Sequence, residues 1–261
     1  MRPKKRLGQH FLMDRGIAAR IAALAADRPG RRILEVGAGT GALTEALLAL
    51  GAQVTAFDVD AALVDVLQAR PELVGAAIVQ ADALAFDYDA YAADRTWRVA
   101  GNLPYNIATP LLVMLSERDD PPERIVAMIQ RDVADRLTAR PGTPAYGSLP
   151  LAIALSMRVT RAFVVGPAHF FPRPGVDSAV VILDRLEHPP VAVRDRGYLR
   201  QVVRAAFAYR RKTLANSLKL ALSIPRERTA DALRALAIDP DIRGENLDLV
   251  SFAALSDALG A

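Results

Sequence analysis

The sequence predicts an α/β protein: a doubly wound, mostly parallel seven-stranded sheet with a closing antiparallel hairpin, followed by a small all-helical C-terminal domain. Three observations carry this. From residue 31 onward, short β-rich runs alternate with helical ones, as a parallel sheet covered by helices requires. The last two strand candidates follow each other with no helix between them, which closes the sheet with a hairpin. After EHPPV (187–191) strand signals cease and only helical patterns follow.

The strands are expected at RRILEVG (31–37), QVTAFDV (53–59), AAIVQAD (76–82), WRVAGN (97–102), RIVAMIQ (124–130), VTRAFVVG (159–166) and SAVVILDRL (178–186). Helical stretches such as 42–50 and 61–70 separate the earlier ones. The C-terminal helices are expected at 196–208, 211–222, 226–236 and 247–259. Ile224-Pro225 and Asp239-Pro240 punctuate them, because proline disfavours helix at the residue before it. The domains are therefore read as 1–189 and 190–261, with no internal repeat or low-complexity tract.

Composition narrows the function. The chain has 261 residues and a hydrophobic share of 52%, enough for one large domain with a small appendage. It has no cysteine, which excludes disulfides, zinc-thiolate sites and thiol catalysis. No apolar run approaches the roughly 20 residues of a membrane span, and MRPKKRLGQHFL (1–12) lacks the apolar stretch of a signal peptide. A cytoplasmic monomer away from membranes is expected, and no His/Asp/Glu spacing suggests a metal. Charge is unevenly spread. Residues 1–32 hold nine Lys/Arg against two Asp/Glu, and 194–219 hold eight against one. Residues 33–193 between them hold 12 against 19. Basic ends flanking an acidic body fit solvated helix faces, or a polyanion held from two sides with a neutral or cationic ligand in the body.

EVGAGTG (35–41) lies where the first strand meets the first helix. Glycines let backbone approach a ligand there, and the helix N-terminus presents unpaired N–H groups. By itself the run also satisfies a dinucleotide fingerprint, with Asp58 following 21 residues after Gly37, so a dehydrogenase remains open. Other strand ends add chemistry. Asp58 ends the second strand, where a carboxylate can take both hydroxyls of a ribose. Asp82 ends the third, where its oxygen can take an adenine amino group, and Asn102 ends the fourth. In doubly wound folds, ligands bind beyond these ends.

VAGNLPYNIATP (99–110) is more than a turn. An exocyclic adenine amine is a poor nucleophile because its lone pair is delocalised into the ring. Methylating it takes two acceptors aimed at its N–H groups and a flat surface under the base. The Asn102 side-chain oxygen and the Leu103 carbonyl supply the acceptors, Pro104 fixes the turn and Tyr105 offers a stacking face.

With these segments in view, the chain resembles the KsgA-type ribosomal RNA adenine N6,N6-dimethyltransferases over nearly its whole length. The likeness rests on RLGQHFL (6–12), EVGAGTGALT (35–44), NLPYNI (102–107), AYGSL (145–149), FFPRPGVDSAV (170–180) and FAYRRKTLANSL (207–218). The resemblance implies a Rossmann-like methyltransferase domain that uses S-adenosyl-L-methionine. It also implies a helical domain that docks on RNA of the small ribosomal subunit or its precursor. In that pattern His10 and Leu12 cap the cofactor and Gly37 contacts its methionine portion. Asp58 holds the ribose, Asp82 the adenine, and Asn102 stands between cofactor and target amine. Phe170 stacks on the flipped base opposite Tyr105, while Phe171 is expected in the core. RNA phosphates are expected on Lys4, Lys5, Arg6, Arg173, Arg200, Arg204, Arg210, Arg211 and Lys212. Glu35 is expected to orient the glycine loop or face the cofactor ammonium. Trp97 reads as packing, and His169 and His188 receive no role.

The sequence departs from the family pattern at Asp58, usually Glu, and at His10, often Asn. Gly175 replaces a usual Lys and Arg173 a usual Pro, so a cation has moved by two residues. Three other readings share the fold. A large-subunit adenine methyltransferase of the macrolide-resistance type has a similar loop and clamp but not the extended RLGQHFL and RRKTLANSL segments. A nucleic-acid-binding transcription or assembly factor would not need an intact NLPY. A dehydrogenase gives neither NLPY nor the hairpin a role.

Overall fold

The computed structural model describes residue 4 and residues 7–92 and 96–260. It divides into two compact units, one of residues up to 134 with 158–185, the other of 135–157 with 186 onward. The helical C-terminal part is thus joined by 135–157, which lies before the domain boundary read from sequence.

In the first unit the elements run β1 (Phe11–Leu12), α1 (Arg15–Ala25), β2 (Arg32–Val36), α2 (Ala42–Ala49), β3 (Gln53–Asp58), α3 (Ala61–Gln68) and β4 (Ala77–Gln80). They continue with α4 (Tyr88–Ala92), β5 (Arg98–Asn102), α5 (Ala108–Ser116), β6 (Arg124–Gln130) and α6 (Arg131–Leu137). After α7 (Ser148–Ala154) come β7 (Met157–Val165), β8 (Phe170–Phe171) and β9 (Ser178–Arg185). The main sheet has seven strands in the order β4-β3-β2-β5-β6-β9-β7. Strands β2, β3, β4, β5 and β6 pair parallel and β9 pairs antiparallel with β6, so the sheet closes with the expected hairpin. All seven strands fall within the expected runs or two residues outside them.

Helix α1 is an addition to the elements read from the sequence. Asp14 caps it by accepting from the Ile17 N–H at 3.0 Å, and Ile17, Ala18, Ile21, Ala22 and Ala25 bury one face at helical spacing. That face joins the core formed with Ile33, Val54, Ala56, Val126 and Met128 of the sheet. At the other end of the strands, the guanidinium of buried Arg98 donates to Glu123, Asp27 and the Ala25 carbonyl. Paired this way, the buried charge keeps its partners and sits away from the carboxyl ends of the strands.

The second unit is helical. Helices α8 (Arg196–Ala208), α9 (Leu214–Leu222), α10 (Arg226–Ala235) and α11 (Leu249–Leu259) pack with α7 around Leu199, Val202, Leu214, Leu218, Leu233 and Phe252. Tyr146, buried in the same cluster, donates its hydroxyl to the Leu247 carbonyl at 2.9 Å. That contact explains why 135–157 belongs here. Helix α9 starts three residues later than the sequence suggests because the Thr213 side chain caps it at Asn216.

The sheet reverses its winding between β2 and β5, whose Glu35 and Ala100 are paired. The loops leaving these two strands therefore diverge to opposite faces and leave a crevice at a topological switch point. Gly101 allows this closeness: a Cβ there would lie 2.5 Å from the Val36 carbonyl oxygen. Backbone cannot yield as a side-chain tip can. Gly101→Ala is expected to cost about 1–3 kcal/mol and to lower the melting temperature by roughly 3–10 °C. Thermal denaturation followed by circular dichroism checks this, and an unchanged transition would mean that β2 and β5 separate at little cost.

Candidate active site

The crevice at the switch point is a cleft open to solvent, lined entirely from the first unit. It collects His10, Leu12, Gly37, Asp58, Asp82, Asn102, Leu103, Pro104 and Tyr105. These are all the expected cofactor and clamp positions except Phe170.

Two carboxyls lie at its floor. Asp58 is 8% exposed; Oδ2 accepts the Gly39 N–H at 3.1 Å and Oδ1 the Asp60 N–H at 3.0 Å. The end of β3 thereby grips the glycine loop. A carboxylate has about four acceptor positions, so both oxygens keep capacity for hydroxyl donors. Burial pushes its carboxyl above the usual range. Glu35, at the end of β2, is 1% exposed, and its Oε2 has no hydrogen-bond partner. Burial pushes this carboxyl up to about 8, and the Asp58 charge adds to the rise. An orphaned acidic oxygen beside a second buried carboxyl fits a cationic ligand. Gly37 lines the cleft with a φ of +74°, a left-handed conformation that favours glycine, so the loop presents bare backbone there. Asp82 is exposed and uses Oδ1 on the Leu84 N–H at 2.9 Å, with Oδ2 as its second acceptor.

The expected amine clamp, Asn102 to Tyr105, is braced from three directions. Asn102 Nδ2 donates to the His10 carbonyl at 2.7 Å. A carbonyl only accepts, so the amide nitrogen must face His10 and Oδ1 must turn away from it. The Leu103 N–H donates to the Met128 carbonyl at 3.0 Å, which pins the backbone to β6. Tyr105 shares a 2.8 Å hydrogen bond with buried Ser178, and its ring stacks on that of His10 at 5.3 Å. The His10 Nδ1 donates to the Pro172 carbonyl at 2.8 Å. His10 therefore lines the cleft, yet its own contacts go to the clamp. The sequence missed Ser178, Gln9 and Asp60, whose contacts become visible only once distant segments meet.

Several expected roles change with the geometry. Phe170 is 3% exposed and packs in the core with Leu12 and Ile17, whereas Phe171 is 58% exposed. The two aromatics are thus the reverse of the sequence expectation. The cause is pairing: β8 runs antiparallel to β1 with Leu12 opposite Phe170 and Phe11 opposite Phe171, and alternate side chains take opposite faces. Lys4, expected on RNA, places Nζ 2.7 Å from Asp60 Oδ1. Lys5 and Arg6 lie outside the described residues. Arg173, Arg204, Arg210, Arg211 and Lys212 are exposed and Arg200 is half-buried. Arg210 also donates to the Pro144 carbonyl at 3.1 Å.

A doubly wound sheet closed by an antiparallel strand, with a cleft at its switch point, is the fold of the S-adenosylmethionine-dependent methyltransferases. The particular kind follows from comparison: the model of the ribosomal RNA adenine dimethylase family matches residues 1–257, and the chain belongs to that family. Its relatives include the ribosomal RNA small subunit methyltransferase A of Geobacter metallireducens, 47% identical over all of this chain and 97% of that protein. The protein of the same name from Pseudomonas aeruginosa is 42% identical over 99% of this chain and 95% of its own length. Among solved structures, a dimethyladenosine transferase from Plasmodium falciparum superposes with a TM-score of 0.79 at 26% identity, covering 94% and 96% of the two chains. The 23S rRNA methyltransferase ErmE shares the fold, with a TM-score of 0.68 at 24% identity over 96% and 100%.

Two predictions follow from burial. The Glu35 carboxyl, ordinarily near 4.5, is raised to about 8 in the fold. Between those values the unfolded chain releases a proton that the folded chain keeps, so this group lowers stability as pH rises. The melting temperature of Glu35→Gln should therefore climb relative to the parent across that window and level off above it. Parallel curves would show that Glu35 does not titrate late. Phe170→Ala should destabilise by about 3–5 kcal/mol, while Phe171→Ala should cost less than about 1 kcal/mol in denaturant unfolding. Equal losses would contradict the register of β1 and β8.

Proposed function

We infer that this enzyme methylates N6 of two adjacent adenosines in a 3′-terminal hairpin loop of small-subunit (16S) ribosomal RNA, giving N6,N6-dimethyladenosine during ribosome biogenesis. The observation that carries the reading is the Asn102–His10 hydrogen bond, which turns an acceptor oxygen outward at the strand end facing the cofactor cleft. When bound, S-adenosylmethionine supplies a methyl group on a positively charged sulfonium. Glu35 would face the cofactor's ammonium, Asp58 would hold the ribose and Asp82 the adenine, and Gly37 would give the methionine portion room.

The chain's own contribution is positioning. Asn102 Oδ1 and the Leu103 carbonyl accept from the target amine and aim its lone pair along the cleft. Pro104 keeps that turn fixed and Tyr105 supports the base. Holding nucleophile and methyl group in line converts a bimolecular encounter into a preorganised one. A neutral amine meeting a sulfonium would disperse charge, so the site would need no oxyanion hole, and the amine proton would pass to water at the open cleft. Arg173 and the exposed cations of the second unit, Arg204, Arg210, Arg211 and Lys212, contact RNA phosphates, with half-buried Arg200 beside them. On this reading residues 190–261 choose the docking place on the small subunit or its precursor. The enzyme works as a cytoplasmic monomer without membrane or metal. No helix among the described residues is long and apolar enough to cross a membrane. A large-subunit substrate is disfavoured by the small-subunit names of relatives such as those at 47% and 42% identity.

Asn102→Ala should reduce methyl transfer to small-subunit RNA by roughly 100-fold or more, with only a modest change in S-adenosylhomocysteine affinity by calorimetry. Near-normal turnover would remove Asn102 from the clamp. Neutralising Arg210, Arg211 and Lys212 together should flatten the salt dependence of RNA binding by up to about two to three units. Cofactor affinity should stay at the parent value. An unchanged slope in a folded variant would exclude this cluster from the RNA footprint.

A further inference from the structure

The N-terminal arm is fastened beside the cofactor cleft by contacts that the transfer chemistry does not itself require. Lys4 Nζ lies 2.7 Å from Asp60 Oδ1, and the Lys4 backbone N–H donates to Gln9 Oε1 at 2.7 Å. Gln9 Nε2 in turn reaches Asp60 Oδ2 at 3.4 Å. The side chain of Asp60 is nearly buried, at 6% exposure. Lys4 holds its carboxyl below the usual range, with Gln9 assisting. Gly8 closes the arm against the clamp, since a Cβ there would come within 3.2 Å of Asn106 Oδ1.

Asp60 faces both halves of the site. Its backbone N–H donates to Asp58 Oδ1 at 3.0 Å, while its carboxylate holds Lys4 and Gln9. The next residue along the arm is His10, whose carbonyl fixes the Asn102 amide and whose ring lies against Tyr105. We propose that Asp60 is a positioning residue whose carboxylate anchors the arm while its backbone N–H holds Asp58, so that one residue couples retention of the cofactor to the orientation of the amine clamp. The proposal rests on the methyltransferase reading of Asp58 and Asn102. It also gives Lys4 a role other than RNA contact.

Each dimethylated base requires two transfers, and spent cofactor must leave between them. An arm latched by Lys4, Gln9 and Asp60 sets how readily the cleft opens for that exchange. The latch is strong enough to matter and weak enough to open, because Lys4 remains 42% exposed and its ion pair is screened by solvent.

Asp60 also caps α3 by accepting from the Ala62 N–H at 3.2 Å. Asn caps as well as Asp, so Asp60→Asn keeps the cap while removing the charge that holds Lys4. Lys4→Met breaks the same pair from its solvent-exposed side and leaves the fold untouched. After S-adenosylhomocysteine binding to the parent enzyme is established, its dissociation rate is measured for both single variants and the double variant. The ratio of monomethyl- to dimethyladenosine in small-subunit RNA is measured alongside. Each single variant is expected to release the ligand roughly 5-fold faster and to alter the product ratio, and the double variant should add little more. Parent-like release in both folded single variants overturns the proposal, as does an additive double variant. So does a Lys4→Met variant that only lowers the salt slope of RNA binding, which would return Lys4 to the RNA footprint. Failure of the parent to bind S-adenosylhomocysteine would instead sink the methyltransferase reading beneath it.

Discussion

The hydrogen bond from Asn102 Nδ2 to the His10 carbonyl is the constraint on which the site depends. An amide side chain offers a donor and an acceptor, and with no fixed partner it presents either. A carbonyl partner admits only the donor, so the other end must be the acceptor. The sheet places Asn102 at the switch point, but the arm makes it usable. This is how His10, remote in sequence from NLPYNI, comes to brace Asn102. The fold supplies the second requirement at Gly101, where strands β2 and β5 approach too closely for any Cβ. Without that approach, the glycine loop and the clamp would not face one cleft.

Electrostatics divide the molecule in the way its charge distribution suggests. The cleft gathers Glu35, Asp58 and Asp82, whereas the cations of the second unit lie exposed around α8 and the turn into α9. Burial of Glu35 and Asp58 works against folding, since both carboxyls rise above their usual values. A cationic ligand reverses that penalty by favouring the ionised forms. On the proposed reading, stability given up at the floor of the cleft would return as ligand affinity, as is common where function and folding compete for the same buried groups.

Much of this was legible in the sequence because it depends on local pattern. Strand runs such as RIVAMIQ appear in the fold with the same ends, 124–130, and helix α8 spans the expected 196–208. The place of Asp58 and Asn102 in the cleft was legible because they end their strands, a position that doubly wound sheets reserve for ligands. What escaped depends on pairing across long separations. Two adjacent phenylalanines give no sign of which faces inward until Phe170 is seen opposite Leu12, more than 150 residues away. A basic N-terminal run likewise gives no sign that Lys4 pairs with Asp60, 56 residues away. The assignment of 135–157 to the helical unit likewise needs Tyr146 to meet Leu247, for which composition offers no signal.

The two transfers of the proposed reaction place unequal demands on one clamp. Unmodified adenine has two N–H donors at N6, which match the Asn102 oxygen and the Leu103 carbonyl. After the first methylation only one donor remains, so one acceptor loses its partner and a methyl group occupies the vacated direction. Hydrogen bonding then orients the amine less well, and positioning must come from surfaces instead. On the proposed reading, the bracing of Tyr105 answers that shift. Tyr105 is tied at its hydroxyl by Ser178 and backed across its ring by His10, so it keeps its place whichever donors the base retains. His10 is held in turn by the Pro172 carbonyl. The same residue that fixes the acceptor oxygen for the first transfer therefore stiffens the stacking surface needed for the second.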